Sequence, residues 1–216
     1  MNATIDASQI PAIRQWEGKP LSPAYEVFMF HDEEGPVPET YRRLRDHLTA
    51  EGIEHVFIGA FALSAHQYRR ATEGVDVCLR AEDVVRLRER FVGSVYQAVE
   101  GRPRRFYDPQ TQVTFDVLVA GQLAGRTARN NVIRFPDPDE GQIVHGIRTV
   151  SLPRLIELKL VTWRYQDWAD VVKLIRHNRL SEEFAEQLHP LVRTAYLQCV
   201  DEMHDEDRYD REVHDQ

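Results

Sequence analysis

The sequence predicts an α/β fold (α+β in stricter usage): a small mixed β-sheet flanked by helices, followed by a C-terminal helical part. Three observations carry this expectation. Val56-Phe57-Ile58 and the run from Val75 to Leu79 are short, apolar, and rich in β-branched or aromatic residues, as buried strands are. Residues 112–119 alternate: Val113, Phe115, Val117 and Val119 share one face, Thr114 and Asp116 the other. From Ser151 onward the apolar residues recur at helical spacing.

Taken in order, residues 1–35 form an irregular lead-in. Pro11, Pro20 and Pro23 interrupt it, and residues 24–30 suit a helix or a strand equally. A helix is expected over about 39–51, with Tyr41, Leu44 and Leu48 as its apolar stripe and Gly52 as its stop. The first strand follows, then a turn at Gly59 and a short helix through Ala60, Ala62, Leu63 and Ala65. After a polar loop comes the strand carrying Asp76, then a helix over 81–92 with Val84, Leu87 and Phe91 on one face. Glu82 and Asp83 suit that helix's first turn, where the dipole favours anions. Strands are expected near 94–99, 104–107 and 112–119, and residues 120–149 read as loops with one or two short strands. Ser151 is a suitable N-cap for a helix reaching Trp163, and further helices are expected over 167–177, 181–188 and 191–203. These elements divide the chain into a core over 36–150, a helical part over 151–205 and a frayed acidic tail over 206–216.

Composition narrows the function classes. A chain of 216 residues with 42% hydrophobic and 29% charged residues can bury a sizeable core. No apolar run approaches the roughly 20 residues that span a bilayer, and the first residues lack the basic and apolar segments of a secretory signal. Cys78 and Cys199 lie far apart without metal-ligand spacing, which points to a reducing cytoplasm. A net charge of −8 argues against a broad nucleic-acid surface. Arg69-Arg70 and Arg102-Pro-Arg-Arg105 are either a local basic groove or solvated loops.

Two positions carry chemistry. A helix that starts directly after Gly59 presents free N–H groups and a positive dipole end, which suits a phosphate. Asp76 places a charge in an apolar strand, so it must be solvated, paired or bound to a metal. His66 reads as a packed histidine, Ser64 has no nucleophile context, and His204 and His214 are not spaced as a metal pair.

The stretch from Val56 to Leu79, with Gly59-Ala60, Arg70-Ala71-Thr72 and Asp76, together with Asp116 in Thr114-Phe115-Asp116-Val117-Leu118, resembles the nucleotidyltransferase superfamily. The likeness is to its AbiEii-like and related small bacterial branch. A second segment fits the family's Lys-Leu helix followed by Arg-x-x-Asp-x-x-Asp, through Lys159, Arg164, Asp167 and Asp170. The resemblance implies transfer of NMP from an NTP with Mg²⁺. Asp76 and Asp116 would be catalytic and metal-binding, and Gly59, Ala60, Arg70, Thr72 and Lys159 would bind nucleotide. The acceptor would be a tRNA, a protein or a small molecule. Relatives that are toxins of toxin–antitoxin pairs add a partner protein to the expectation.

One of the family's three acids, the first of the pair on the Asp76 strand, falls at Gly74, which has no side chain to offer. Carboxylates at i and i+2 of one strand point the same way and can bridge two ions. Glu73 is the nearest substitute, although its parity serves only if the strand kinks at Gly74. The departure leaves two readings: a metal-dependent transferase, or an inactive member that keeps the fold as a binding or interaction module. Asp167 and Asp170 suit helix anchoring or pairing with arginines.

Overall fold

A computed structural model describes residues 35–125 and 131–214. The expected lead-in lies outside the described residues except for Gly35. In chain order the elements are α1 (Pro36–Ala50), β1 (His55–Ile58), α2 (Gly59–Ala65), β2 (Gly74–Leu79), α3 (Ala81–Phe91), β3 (Gln97–Val99), β4 (Arg102–Asp108) and β5 (Val113–Val119). Then follow β6 (Gln142–Val144), β7 (Ile147–Thr149), α4 (Leu152–Leu160), α5 (Tyr165–Asn178) and α6 (Pro190–His214). Among the described residues there are also two 3-10 turns, Pro138–Glu140 and Glu182–Gln187.

The described strands form one seven-stranded mixed sheet in the order β3-β4-β5-β2-β1-β7-β6. β1 runs antiparallel to β2 and parallel to β7, while β2 runs parallel to β5. The pleat sends alternate residues to opposite faces. On one face Phe57, Val75, Val77, Leu79, Phe115 and Val117 pack with Tyr41, Leu44 and Leu48 of α1 and Leu87 and Phe91 of α3. On the other, Val56, Ile58 and Cys78 join α2 and the C-terminal helices through Leu155, Ile156, Val171, Ile175 and Tyr196. Asp76 and Asp116 belong by parity to this second face, so whatever they do happens between the sheet and α4–α5.

Several boundaries differ from expectation for identifiable reasons. α1 begins at Pro36, since proline is tolerated in a first turn whose N–H groups lack partners. Residues 182–187 form a 3-10 turn in place of a regular helix. The acidic tail is helical to His214, as the C-terminal part of α6. Lys173 and Arg176 of α5 hold Glu206 at 3.0 and 2.9 Å, and Arg176 holds Asp207 at 2.6 Å. Ser151 caps α4 as expected, accepting from the Arg154 backbone N–H. Cys78 and Cys199 are free and buried.

Phe57 is fully buried beside the stacked rings of Tyr41 and Phe61, with centroids 4.5 and 6.3 Å away. Truncation there removes an aromatic from a closed core. Phe57→Ala is expected to lower the unfolding free energy by about 3–5 kcal/mol, read from urea denaturation.

Candidate functional site

The site begins with strand register. β2 and β5 are parallel neighbours, and their pairing sets Asp76 directly beside Asp116. Strands in a sheet lie about 4.8 Å apart, so two carboxylates stand side by side on one face. β1 flanks the pair, with Ile58 opposite Asp76. Gly59 follows at φ 63°, and a Cβ there would fall onto the Asp76 carboxylate. The chain can turn into α2 at this point only because glycine leaves the space to Asp76.

The two acids form the floor of a cavity of about 410 Å³. Ile58, Gly59, Leu118, Phe135, Leu155, Leu158, Thr162 and Gly125 line it, together with Arg104, Lys159, Arg164 and Asp167. α4 and the start of α5 form its roof. The two carboxylates are treated differently. Arg105, the cross-strand partner of Asp116 on β4, grips it bidentately: Nε donates to Oδ1 at 2.9 Å and an Nη to Oδ2 at 2.6 Å. No donor among the described residues reaches the Asp76 carboxylate, which opens only to the cavity. Burial pushes the Asp76 carboxyl above its ordinary range, and the neighbouring Asp116 charge adds to that. Lys159, Arg164 and Arg70 act in the opposite sense and do not prevail.

Lys159 is buried, and its ammonium lies between two acids, 2.9 Å from Asp167 and 2.7 Å from Asp170. Arg164 donates to Asp167 at 2.6 Å, and Thr162 donates to the same oxygen. Arg70 donates to Asp170 at 2.8 Å, which ties the loop before β2 to α5. Lys159 therefore reaches the cavity wall with its ammonium already held. Burial alone would raise the Asp167 carboxyl, but the Lys159 charge and the bonds from Arg164, Thr162 and Lys159 outweigh it and hold the group below its ordinary value.

The other expected residues fall elsewhere. Ala60 is buried in the first turn of α2, and Arg70 sits on Asp170; neither lines the cavity. Thr72 donates to the Gly74 carbonyl at 3.1 Å and shapes the entry to β2. His66 is packed, with Nε2 2.8 Å from the Val150 carbonyl oxygen. Arg105 was legible only as part of a basic run, because its meeting with Asp116 depends on the β4–β5 register.

The acid that the sequence resemblance would place at position 74 has no room in this strand pairing. A Cβ at Gly74 would lie 2.7 Å from the Thr114 carbonyl oxygen, a backbone atom that cannot swing aside. Glu73 is exposed and does not line the cavity. Among the described residues no group of three or more His, Cys, Asp or Glu side chains is arranged to hold a metal ion. Two carboxylates, one of them doubly bonded to an arginine, do not make up the hard-oxygen set that paired Mg²⁺ ions require.

No family model and no curated protein matches this chain. Among solved structures it is similar to the solution structure of antibiotic-resistance factor ANT(2'')-Ia, at 14% identity and a TM-score of 0.46. That alignment covers 77% of this chain and 96% of the other. No helix among the described residues is long and apolar enough to cross a membrane.

The two shifted carboxyls bear oppositely on stability. Asp167 has a folded value below its unfolded one, so its contribution is present above about pH 4 and is lost as pH falls. Denaturation midpoints between about pH 5 and pH 3 are expected to fall less steeply in Asp167→Asn than in the parent chain. Asp76 is raised on folding, so its ionisation costs stability at neutral pH. Asp76→Asn is expected to unfold at a higher denaturant concentration than the parent at pH 7, and a lower midpoint there would contradict this account.

Proposed function

We propose that the chain is a nucleotidyltransferase-like protein. In this reading a nucleoside triphosphate enters the cavity over Asp76 and Asp116, and its nucleotidyl group passes to an acceptor. The observation that supports it is the Asp76–Asp116 register pair beside Gly59, at the floor of a cavity whose volume suits a small ligand. Arg164, at the cavity wall with its side chain 64% exposed, is the cation placed to meet a phosphate. Asp76 carries a free carboxylate of raised proton affinity. It would accept the acceptor's hydroxyl proton while that oxygen bonds to the α-phosphorus and pyrophosphate leaves.

Two carboxylates, one of them held by Arg105, do not make up an Mg²⁺ site, so the proton and phosphate contacts above are assigned to the chain's own residues. The sequence resemblance alone suggests the acceptor classes (tRNA, protein or small molecule), a partner protein of the toxin–antitoxin kind, and a cytoplasmic setting.

A second reading has its own support. The steric closure at Gly74 and the Arg105 grip on Asp116 favour a chain that binds nucleotide without transferring it.

Titration calorimetry with ATP, GTP, CTP and UTP, with and without Mg²⁺, separates these readings when paired with label transfer from α-labelled NTP. The label is followed into tRNA, into the chain itself and into small hydroxyl compounds. Arg164→Ala is expected to weaken binding about tenfold or more. Asp76→Asn is expected to keep binding and lose transfer by about 10²–10⁴-fold. Binding with no transfer in the parent chain establishes the second reading, and no binding of any nucleotide rejects both.

A further inference from the structure

The geometry points to Arg105 as a built-in counter-cation: it holds Asp116 out of metal ligation, so the cavity takes its nucleotide without a divalent ion. The inference concerns the cavity proposed for nucleotide and rests on that reading only for its ligand. Four observations lead to it.

Arg105 and Asp116 are direct cross-strand partners, so their pairing follows from the β4–β5 register and not from a chance surface encounter. Both Asp116 oxygens are occupied, at 2.9 and 2.6 Å. A guanidinium fork matched to a carboxylate in this way is among the stronger charge-assisted pairs. The position that would carry a third acid is closed by the Thr114 carbonyl, 2.7 Å from a Cβ at Gly74. The remaining acids near the cavity, Asp167 and Asp170, are both bonded to Lys159, and Arg164 and Arg70 take one each. Among the described residues, every carboxylate around the cavity except Asp76 is thus neutralised by a side chain of the protein itself. A Mg²⁺ ion arriving there would find one free carboxylate, well short of what the ion demands in exchange for its water shell.

The arrangement also says what a nucleotide would meet. Its phosphates would be balanced by Arg164 together with the neutralised Asp116–Arg105 pair, which presents far less repulsion than a bare carboxylate. Removing Arg105 should therefore do two things at once. It exposes Asp116 to metal, and it restores repulsion toward a metal-free triphosphate.

The test uses the full chain and Mn²⁺ alone, followed by electron paramagnetic resonance of the free ion, with no nucleotide present. The parent chain is expected to show no saturable Mn²⁺ site. Arg105→Ala and Arg105→Gln are each expected to gain at least about tenfold in Mn²⁺ affinity, and Asp116→Asn in the Arg105→Ala background is expected to abolish the gain. In a second arm, nucleotide affinity of the parent chain is expected to be the same in EDTA and in Mg²⁺. A saturable Mn²⁺ site in the parent chain, or no gain in folded Arg105 variants, overturns the inference. So does nucleotide binding that EDTA abolishes. If no nucleotide binds under any condition, the functional reading fails while the Mn²⁺ arm still decides the role of Arg105.

Discussion

The parallel pairing of β2 with β5 is the constraint on which the rest of this face depends. It puts Asp76 and Asp116 side by side in a sheet whose other face is a dry aromatic core. Two like charges at strand spacing in low dielectric repel strongly and lose hydration together. The structure resolves the conflict unequally. Asp116 is given a permanent cation by the strand on its far side, and Asp76 is left to bear the cost as a raised proton affinity. Gly59 belongs to the same solution, because any larger residue would collide with the Asp76 carboxylate. Three positions that look unrelated in the sequence, at 59, 105 and 116, are thus brought around Asp76 by three adjoining strand pairings.

The roof of the cavity rests on a second electrostatic device. Lys159 on α4 meets Asp167 and Asp170 on α5, and all three are buried. Desolvating three charges is expensive, and such a cluster contributes to the fold only because each member is fully partnered. Arg164, Thr162 and Arg70 supply the remaining partners. The network fixes the angle between α4 and α5 and fastens the loop before β2 to them. The Lys, Arg and Asp residues that resemble a family signature are therefore also the fastening of the roof. Arg164 does both, bonding Asp167 through Nε while its side chain stays largely exposed at the cavity wall.

Much of this was legible in the sequence, and the limits have physical causes. The alternation in residues 113–119 and the apolar run ending at Ile58 identified the strands, since side-chain parity is a local property. That Asp76 and Asp116 would face one site was implied by the family resemblance, since parity within either strand does not relate the two. Their adjacency required the pairing partner and its register, which no single strand encodes. Arg105 was invisible as a partner for the same reason. Residues 206–216 looked like a frayed acidic tail because composition records charge but not what opposes it. Lys173 and Arg176, about thirty residues earlier, supply the opposition and keep α6 helical. The closure at Gly74 is likewise a matter of one backbone oxygen on a neighbouring strand.

Asp76 is where fold and function part company. A structural acid in a sheet is normally anchored by donors, as Asp108 is by Arg43 and by the Gln110 backbone N–H. Asp76 has no such donor among the described residues. It forces a glycine upon the adjacent turn, and burial with a like-charged neighbour disfavours its ionised form. An amide of the same shape would relieve the charge repulsion and leave the surrounding apolar packing in place. Among the described residues the folded chain gives the ionised form no hydrogen bond, and the attraction of Lys159, Arg164 and Arg70 does not offset its burial. The pair is thus asymmetric, with Asp116 neutralised by Arg105 and Asp76 open to the cavity, and the proton-acceptor role proposed for Asp76 rests on that difference.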